Sequence, residues 1–236
     1  GVASFNVLSY LKFHTFVGCP LHLNVQYGPE RLARIDGKEF HLSNLRFSAH
    51  TYLVRPNILF EPRFPWLYLG FSKPKPFFPE AKSDFADRTL AFPYAMPVLF
   101  VLATAGCALA WCAAPKARPL VAITWLAIWP MTLAMFAAIA TVHRYTADFC
   151  PFLIVGAALG LTGLDAVVAR GRAVVRALLA VTTLWAVLLT AALTLHYQGE
   201  VIWGVDDATR DDYRALRQRV DAFFGVKPPP AAKPNR

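Results

Sequence analysis

The chain has little charge, and four long stretches of it have almost none. Residues 89–115, 119–142 and 177–199 contain no Asp, Glu, Lys or Arg, and residues 149–169 contain one such residue, Asp165. A helix needs about 20 consecutive apolar residues to cross the hydrocarbon core of a bilayer. The sequence therefore predicts an all-α integral membrane protein with four transmembrane helices.

The chain also lacks the motifs that mark many soluble enzymes and nucleic-acid-binding proteins. It has no GxGxxG, P-loop, GxSxG or HExxH sequence, and its four cysteines show no metal-ligand spacing. The net charge of +9 includes no run of five basic residues, so anionic lipid explains that charge better than nucleic acid does. We therefore expect no metal, no cofactor and no nucleic-acid partner, and we expect membrane lipid as a partner.

The hydrophobic pattern predicts five regions. Residues 1–12 indicate the end of a further transmembrane helix, and without a signal peptide ahead of it we expect the C-terminal part of a longer protein. Residues 13–88 form an extracytoplasmic or interfacial connection, 89–199 the four-helix transmembrane region, 200–226 an amphipathic tail helix and 227–236 a disordered tail.

The connection and the tail carry their own helix signals. A helix is predicted over 41–54 and should end at Arg55, because a residue before proline avoids helical geometry. In the tail, Asp206 or Asp207 is expected to cap a helix that runs to about Phe224. This helix is expected to lie on the membrane or against the connection.

The proline-rich part of the connection is also rich in aromatic side chains. Two interpretations stay open for it: attachment at the membrane interface, where such rings are enriched, and gating of a substrate. The rings in question are Phe60, Phe64, Trp66, Tyr68, Phe71, Phe77 and Phe78.

The basic links between the predicted spans indicate their orientation. The first and third links together hold five Lys or Arg residues (Lys116, Arg118, Arg170, Arg172, Arg176), whereas the middle link holds one. By the positive-inside rule the first and third links are cytoplasmic. The connection, the middle link over 143–148 and the C-terminal tail are then expected on the outer side.

A polar cluster from His143 to Asp148 falls at this outer boundary. Arg144 and Asp148 are four residues apart, so in an α-helix they share a face and can pair. Arg144 is a candidate phosphate ligand, with His143 as a further donor and Tyr145 as a ring for stacking. The alternative is an interfacial salt bridge between Arg144 and Asp148 that only positions two helices.

Two features inside the spans also allow two interpretations each. Gly156 and Gly160 form a GxxxG pattern, which favours close helix packing either within the chain or at a homodimer face. Asp165 belongs either to a proton relay or to an interfacial pair with Arg170 or Arg172.

The polar cluster and its surroundings resemble a known family. The sequence HRYTADFCPF at 143–152 resembles the RYxxDFxPF segment of bacterial membrane glycosyltransferases of the GT-C type, which are similar to dolichyl-phosphate-mannose protein mannosyltransferases. Shorter likenesses lie upstream in LSYLKF (8–13), LNVQY (23–27), FHLSNL (40–45) and YLVRP (52–56).

The resemblance implies a multi-pass enzyme of the bacterial inner membrane that takes a sugar from a polyprenyl-phosphate donor on the extracytoplasmic side. In the family the catalytic acid lies outside the part that this chain matches, so no catalytic residue is assigned here. Arg144, Tyr145 and Asp148 match the arginine, tyrosine and aspartate of the motif, and a phosphate contact is the role that transfers. The alternative is a non-enzymatic polytopic protein, such as a scaffold, an assembly partner or half of a transporter, and the oligomeric state stays open.

Overall fold

A computed structural model describes residues 2–16, 19–23, 27–71, 77–167, 171–199 and 205–226. Only the backbone is described for Val2, Phe85, Ala86, Arg144, Asp165, Ala166, Val167 and Arg172. The predicted disordered tail over 227–236, and the predicted pairing of Asp165 with Arg170 or Arg172, therefore lie outside the described residues and side chains.

These ranges form ten α-helices and four short strands. The helices are α1 Val2–Phe13, α2 Pro29–Arg34, α3 Leu45–Ala49, α4 Phe92–Ala95, α5 Pro97–Val101, α6 Cys107–Ala113, α7 Arg118–Ala137, α8 Cys150–Val167, α9 Arg172–Gln198 and α10 Asp207–Phe223. The strands are β1 Ile58–Phe60, β2 Leu67–Leu69, β3 Phe85–Ala86 and β4 Ala140–Thr141. Short 3-10 segments lie at Leu21–Leu23, Leu42–Asn44, Pro115–Ala117 and His143–Phe149, and π-helical turns at His50–Val54 and Leu102–Gly106.

Three helical stretches are long and apolar enough to cross a membrane, which supports the membrane-protein prediction. They are Pro115–Ala137, Tyr145–Leu164 and Ala173–Gln198. The predicted count of four is not confirmed, because the first predicted stretch yields a shorter apolar helix, Pro97–Ala113. At a rise of about 1.5 Å per residue this helix is several ångströms shorter than a hydrocarbon core of about 30 Å.

A proline explains why this first helix is short. Met96, which precedes Pro97, has φ −140° and ψ 61°, outside the helical region. Residues before proline avoid helical geometry, so α4 and α5 are separate helices although the sequence between 89 and 115 is apolar throughout.

The second predicted span is shortened at its other end. It was expected to reach residue 142, but α7 ends at Ala137, and Ala138 has extended geometry. Beyond it, β4 pairs in parallel with β3, with Phe85 opposite Ala140 and Ala86 opposite Thr141. The connection therefore draws the last apolar residues of this stretch into a small sheet.

The glycine pattern serves packing inside the chain. A Cβ on Gly106 would lie 2.6 Å from Cα of Gly160, and a Cβ on Gly156 would lie 2.9 Å from Cβ of Ala103. A Cβ on Gly163 would likewise lie 2.6 Å from the backbone N of Ala110. The packing interpretation is thus confirmed, and the same face of α8 is not open to a second copy of the chain.

The predicted helix in the connection forms and joins the bundle at the end of α7. It runs without interruption from Leu42 to Val54, and Arg55 ends it with ψ 116° as expected. The buried Asn44 side chain donates to the carbonyl of Ala138 (3.1 Å) and accepts from the amide of Lys82 (2.7 Å). One amide side chain thus ties three separate segments together.

A hairpin that the proline pattern did not predict lies at the end of α9. Strands β1 and β2 pair antiparallel, with Ile58 opposite Leu69 and Phe60 opposite Leu67. Leu69 is buried in a cluster with Leu189 and Leu193 of α9. The hairpin therefore packs on the last turns of a candidate membrane span.

The tail helix α10 packs on this hairpin, which belongs to the connection and is one of the two sites expected for it. Asp206 caps the helix by accepting from the amide of Thr209 at 2.7 Å, as predicted. Arg217 pairs with Glu61 at 2.6 Å, and Asp221 accepts from the amide of Phe64 at 2.8 Å. The connection, the α7–α8 link, the end of α9 and α10 thus gather at one end of the helices, while which side of a membrane this end faces remains a prediction.

Candidate functional site

The predicted polar cluster is a link of 3-10 helix between β4 and α8. It covers His143–Phe149. A 3-10 helix has 3.0 residues per turn, so residues three apart share a face and residues four apart do not. The α-helical geometry on which a shared face of Arg144 and Asp148 depended is therefore absent from this link. The Arg144 side chain is not described, so its pairing with the exposed Asp148 stays a prediction.

His143 is held as a neutral imidazole. Its Nδ1 accepts a hydrogen bond from the backbone N–H of Leu90 at 3.3 Å, which leaves the ring proton on Nε2. Burial lowers the pKa of His143, and the nearby Asp87 only partly opposes that shift. His143 can therefore donate from Nε2, as predicted, but it adds no positive charge to the site.

Next to His143 is a cavity of about 310 Å³ between the α7–α8 link and the end of α9. This volume is at the lower end of the roughly 300–1,000 Å³ that is usual for small-molecule sites. Its lining is Leu90, Ala95, Met96, His143, Thr146, Thr190, Leu193, Thr194 and Tyr197. We call it the polar cavity.

Two of its threonine hydroxyls are already committed as donors. Thr146 donates to the carbonyl of His143 at 2.7 Å, and Thr194 donates to the carbonyl of Thr190 at 2.8 Å. Each of these hydroxyls keeps its oxygen lone pairs for a ligand, while His143 supplies an N–H. This mixture of acceptors and a neutral donor suits a hydroxyl-bearing group.

A second polar cluster, at the end of α9, was not predicted from the sequence. Arg88 Nη1 donates to His196 Nε2 at 3.3 Å, and the His196 ring stacks on Tyr68 with a centroid distance of 5.6 Å. The Arg88 guanidinium also lies 4.9 Å from the centroid of the Phe71 ring. An imidazole in an otherwise uncharged stretch was the signal that could have found this cluster.

On the membrane side of the link is an apolar groove of about 160 Å³. Residues of α5 and α7, the start of α8, and the helix over 42–54 form its walls. The lining residues are Leu53, Phe92, Phe100, Thr104, Trp125, Ile128, Trp129, Thr132, Phe136, Phe149 and Leu153. We call it the apolar groove. The link therefore reaches the polar cavity at His143 and Thr146 and the apolar groove at Phe149.

Tyr145 points to a different place from His143. It lines a separate cavity of about 360 Å³ that also contains Tyr27 and Glu39. Burial raises the pKa of Tyr27, with Arg31 opposing the shift and Glu39 among the groups that add to it. The structure thus places the four predicted site residues on one short link, but it does not bring His143 and Tyr145 into one pocket.

A buried carboxylate stabilises the wall of this third cavity. Asp84 pairs with Arg31, and at 3.4 Å with Arg34, while its own side chain is 2% exposed. The guanidinium of Arg31 lies 4.2 Å from the centroid of the Tyr27 ring. Because Asp84 already has two cationic partners, it is a structural group here.

Within the described ranges, no group of three or more His, Cys, Asp or Glu residues could hold a metal ion. Comparisons with protein families, curated proteins and solved structures find no match to this chain. The resemblance of residues 143–152 to GT-C glycosyltransferases therefore stays a prediction.

Proposed function

We propose that this chain forms the lipid-phosphate-binding part of a membrane glycosyltransferase that uses a polyprenyl-phosphate sugar donor. The observation that carries the proposal is the position of the link over 143–149. Its first turn borders the polar cavity at His143 and Thr146, and its end borders the apolar groove at Phe149. An amphiphilic donor needs a polar pocket and an apolar groove that meet in this way.

The donor's phosphate would lie at the link itself. Arg144 lies in the link between His143 and Thr146, the two link residues that border the polar cavity, and a guanidinium binds phosphate oxygens through charge-assisted hydrogen bonds. His143 is neutral and Thr146 presents lone pairs, so both suit the hydroxyls of a sugar better than a second anion. The carboxylate that performs the transfer would come from residues outside this chain, as the resemblance implies.

The lipid chain would enter the apolar groove. Its walls include Trp125 and Trp129 of α7 and Phe100 of α5, and its few polar groups include Thr104 and Thr132. Both hydroxyls donate to carbonyls within their own helices, at 2.7 Å and 2.9 Å. A hydrocarbon chain in the groove would therefore leave neither hydroxyl without an acceptor.

The test of the head-group site is a kinetic comparison in the full-length protein. Arg144→Ala should abolish sugar transfer from the polyprenyl-phosphate donor or raise the KM for that donor, and Arg144→Lys should restore part of the loss. Arg214→Ala, in an exposed pair on α10, is the matched control and should leave both constants unchanged. Unchanged kinetics in Arg144→Ala would reject the role of this residue.

The test of the groove measures binding rather than activity. Thr132→Trp should fill the groove and weaken the binding of polyprenyl monophosphate, as measured by native mass spectrometry. Leu133→Trp, at a neighbouring position that is 49% exposed on the outside of α7, should bind as the unmodified protein does. If the unmodified protein binds no polyprenyl phosphate at all, the proposal fails and a non-enzymatic membrane protein is the better interpretation.

A further inference from the structure

We propose that the hairpin tip and the C-terminal end of α10 form one aromatic surface that inserts into the lipid–water interface of the membrane. The surface consists of Phe60, Trp66, Phe223 and Phe224, and we call it the aromatic patch. It is separate from the polar cavity and the apolar groove, and the proposal does not depend on the glycosyltransferase assignment.

The rings of the patch come from two distant parts of the sequence, and those of Trp66, Phe223 and Phe224 contact each other. The Trp66 and Phe224 rings are 5.6 Å apart at their centroids in an edge-on arrangement, and Phe223 and Phe224 are 5.2 Å apart. Phe60 is at the end of β1, where the amide of Glu61 donates to the carbonyl of Trp66 at 2.9 Å. The patch is therefore one surface that spans the hairpin and the helix.

All four rings of the patch are exposed. Phe223 is 84% exposed, Phe60 73%, Phe224 59% and Trp66 43%. Contiguous apolar surface of this kind marks a site that another phase or molecule covers. A fold that only needed to bury the hairpin would have no reason to present four aromatic rings outward.

The position of the hairpin at the end of α9 indicates that the membrane covers the aromatic patch. Strand β2 packs on the last turns of α9, where Leu69 is buried with Leu189 and Leu193. Since Ala173–Gln198 is a candidate span, the hairpin lies at the boundary where that span leaves the hydrocarbon core. Aromatic residues are enriched at this depth because an apolar ring meets a polar surrounding there.

The patch is held in place by polar contacts on its inner side. Arg217 pairs with Glu61 at 2.6 Å, and Asp221 accepts from the amide of Phe64 at 2.8 Å. Tyr213 is buried, and its ring closely approaches Gly199 at the end of α9. These contacts fix α10 across the hairpin, so its apolar end is presented as part of one rigid surface.

The experiment is photo-crosslinking of the full chain in its membrane. The photoreactive residue p-benzoylphenylalanine replaces Phe223, and in a second variant it replaces Phe60. Both should give lipid adducts by mass spectrometry after irradiation. The control replaces Arg214, which precedes Phe223 by nine residues, or about two and a half turns, and so lies on the opposite face of α10.

We expect a lipid-adduct yield at Phe223 and Phe60 that is several-fold greater than at Arg214. Equal yields at the three positions, or no lipid adduct at Phe223, would overturn the proposal. A protein adduct in place of the lipid adduct would also overturn it, because the patch would then cover a partner protein or a second copy of this chain. Retention of the Arg217–Glu61 contact in each variant can be checked by the proteolytic resistance of α10.

Discussion

The backbone N–H of Leu90 donates a hydrogen bond to Nδ1 of His143 at 3.3 Å. This contact joins the segment that leads into α4 to the link before α8, and it fixes both the orientation and the tautomer of the imidazole. Leu90 is itself buried, so the bond is partly shielded from water. A site residue is thus positioned by a part of the chain that lies 53 residues earlier.

This relationship predicts how stability depends on pH. Burial lowers the pKa of folded His143 below its usual 6.5, so between the two pKa values the unfolded chain binds more protons than the folded one. The contribution of this group is therefore fully favourable above pH 6.5 and is lost as the pH falls from 6.5 through the folded pKa. His143→Asn keeps an acceptor for Leu90 and should flatten the dependence of the melting temperature on pH below pH 6.5. The control His22→Asn, at an exposed position, should retain the slope of the unmodified protein.

The close approach of α8 to the π-helical turn between α5 and α6 predicts a strong effect of a single methyl group. A Cβ on Gly160 would clash with the carbonyl of Leu102 and lie 3.1 Å from Cα of Gly106, so backbone atoms would have to move. Gly160→Ala should lower the free energy of unfolding by at least about 1–3 kcal/mol, the usual cost of overpacking. Thermal unfolding in detergent measures the loss. Ala158→Leu, an exposed position on the same helix, is the control, and an equal loss there would contradict the packing argument.

The hydroxyl of Tyr52 contacts both the backbone N–H and the backbone carbonyl of Val142. Its hydroxyl accepts from the N–H of Val142 at 3.1 Å and lies 3.3 Å from the carbonyl of the same residue, and the side chain is fully buried. Tyr52→Phe would leave the Val142 N–H without its acceptor, at a cost of about 1–3 kcal/mol for an unsatisfied buried group. We expect a lower melting temperature for this variant. Tyr94→Phe removes a hydroxyl from a residue that is 36% exposed and should have little effect.

The docking of α10 on the hairpin predicts a result for hydrogen exchange. Arg217 and Glu61 are each about three-quarters buried and pair at 2.6 Å. Glu61→Gln should raise the exchange rate of the α10 amides, because the helix loses its main charged contact with the hairpin. The double variant Glu61→Arg with Arg217→Glu should recover part of the protection.

The matched control for α10 is an ion pair between an acidic residue and an arginine that both lie within this helix. Asp211 and Arg214 pair at 3.0 Å within the helix, and both side chains are more than half exposed. Asp211→Asn should leave the exchange of α10 nearly unchanged, since exposed pairs contribute little. An equal loss of protection in this variant and in Glu61→Gln would mean that α10 is stabilised by its own helix alone.

Local signals in the sequence were sufficient for several elements. The helix that ends at Arg55 and the cap at Asp206 each depend on residues within a few positions of one another. The GxxxG pattern predicted close packing, but only the contacts of Gly156 and Gly160 with Ala103 and Gly106 decided that this packing is within the chain. Composition alone likewise indicated helices suited to a membrane, and three of them have the required length.

Other features depended on contacts between distant residues and could not be predicted in this way. The apolar residues after Ala137 leave α7 because β3 supplies them with backbone partners. The pattern of hydrophobic residues does not predict that pairing. The hairpin over 58–69 was missed because its prolines excluded helix without indicating which strand would pair with which. The 3-10 geometry of the link was also missed, and with it the separation of His143 and Tyr145 into two cavities.

The sequence by itself determined that this is a chain of apolar helices with a polar link at one end, since charge content and local spacing decide those properties. Only the tertiary structure decided that the link joins a polar cavity to an apolar groove, because its walls come from segments between residues 53 and 197. It also decided that the rings of Trp66 and of Phe223 and Phe224 contact each other, although they lie far apart in the sequence. Neither arrangement can be read from a single stretch of sequence, because each depends on how distant helices and strands pack against one another.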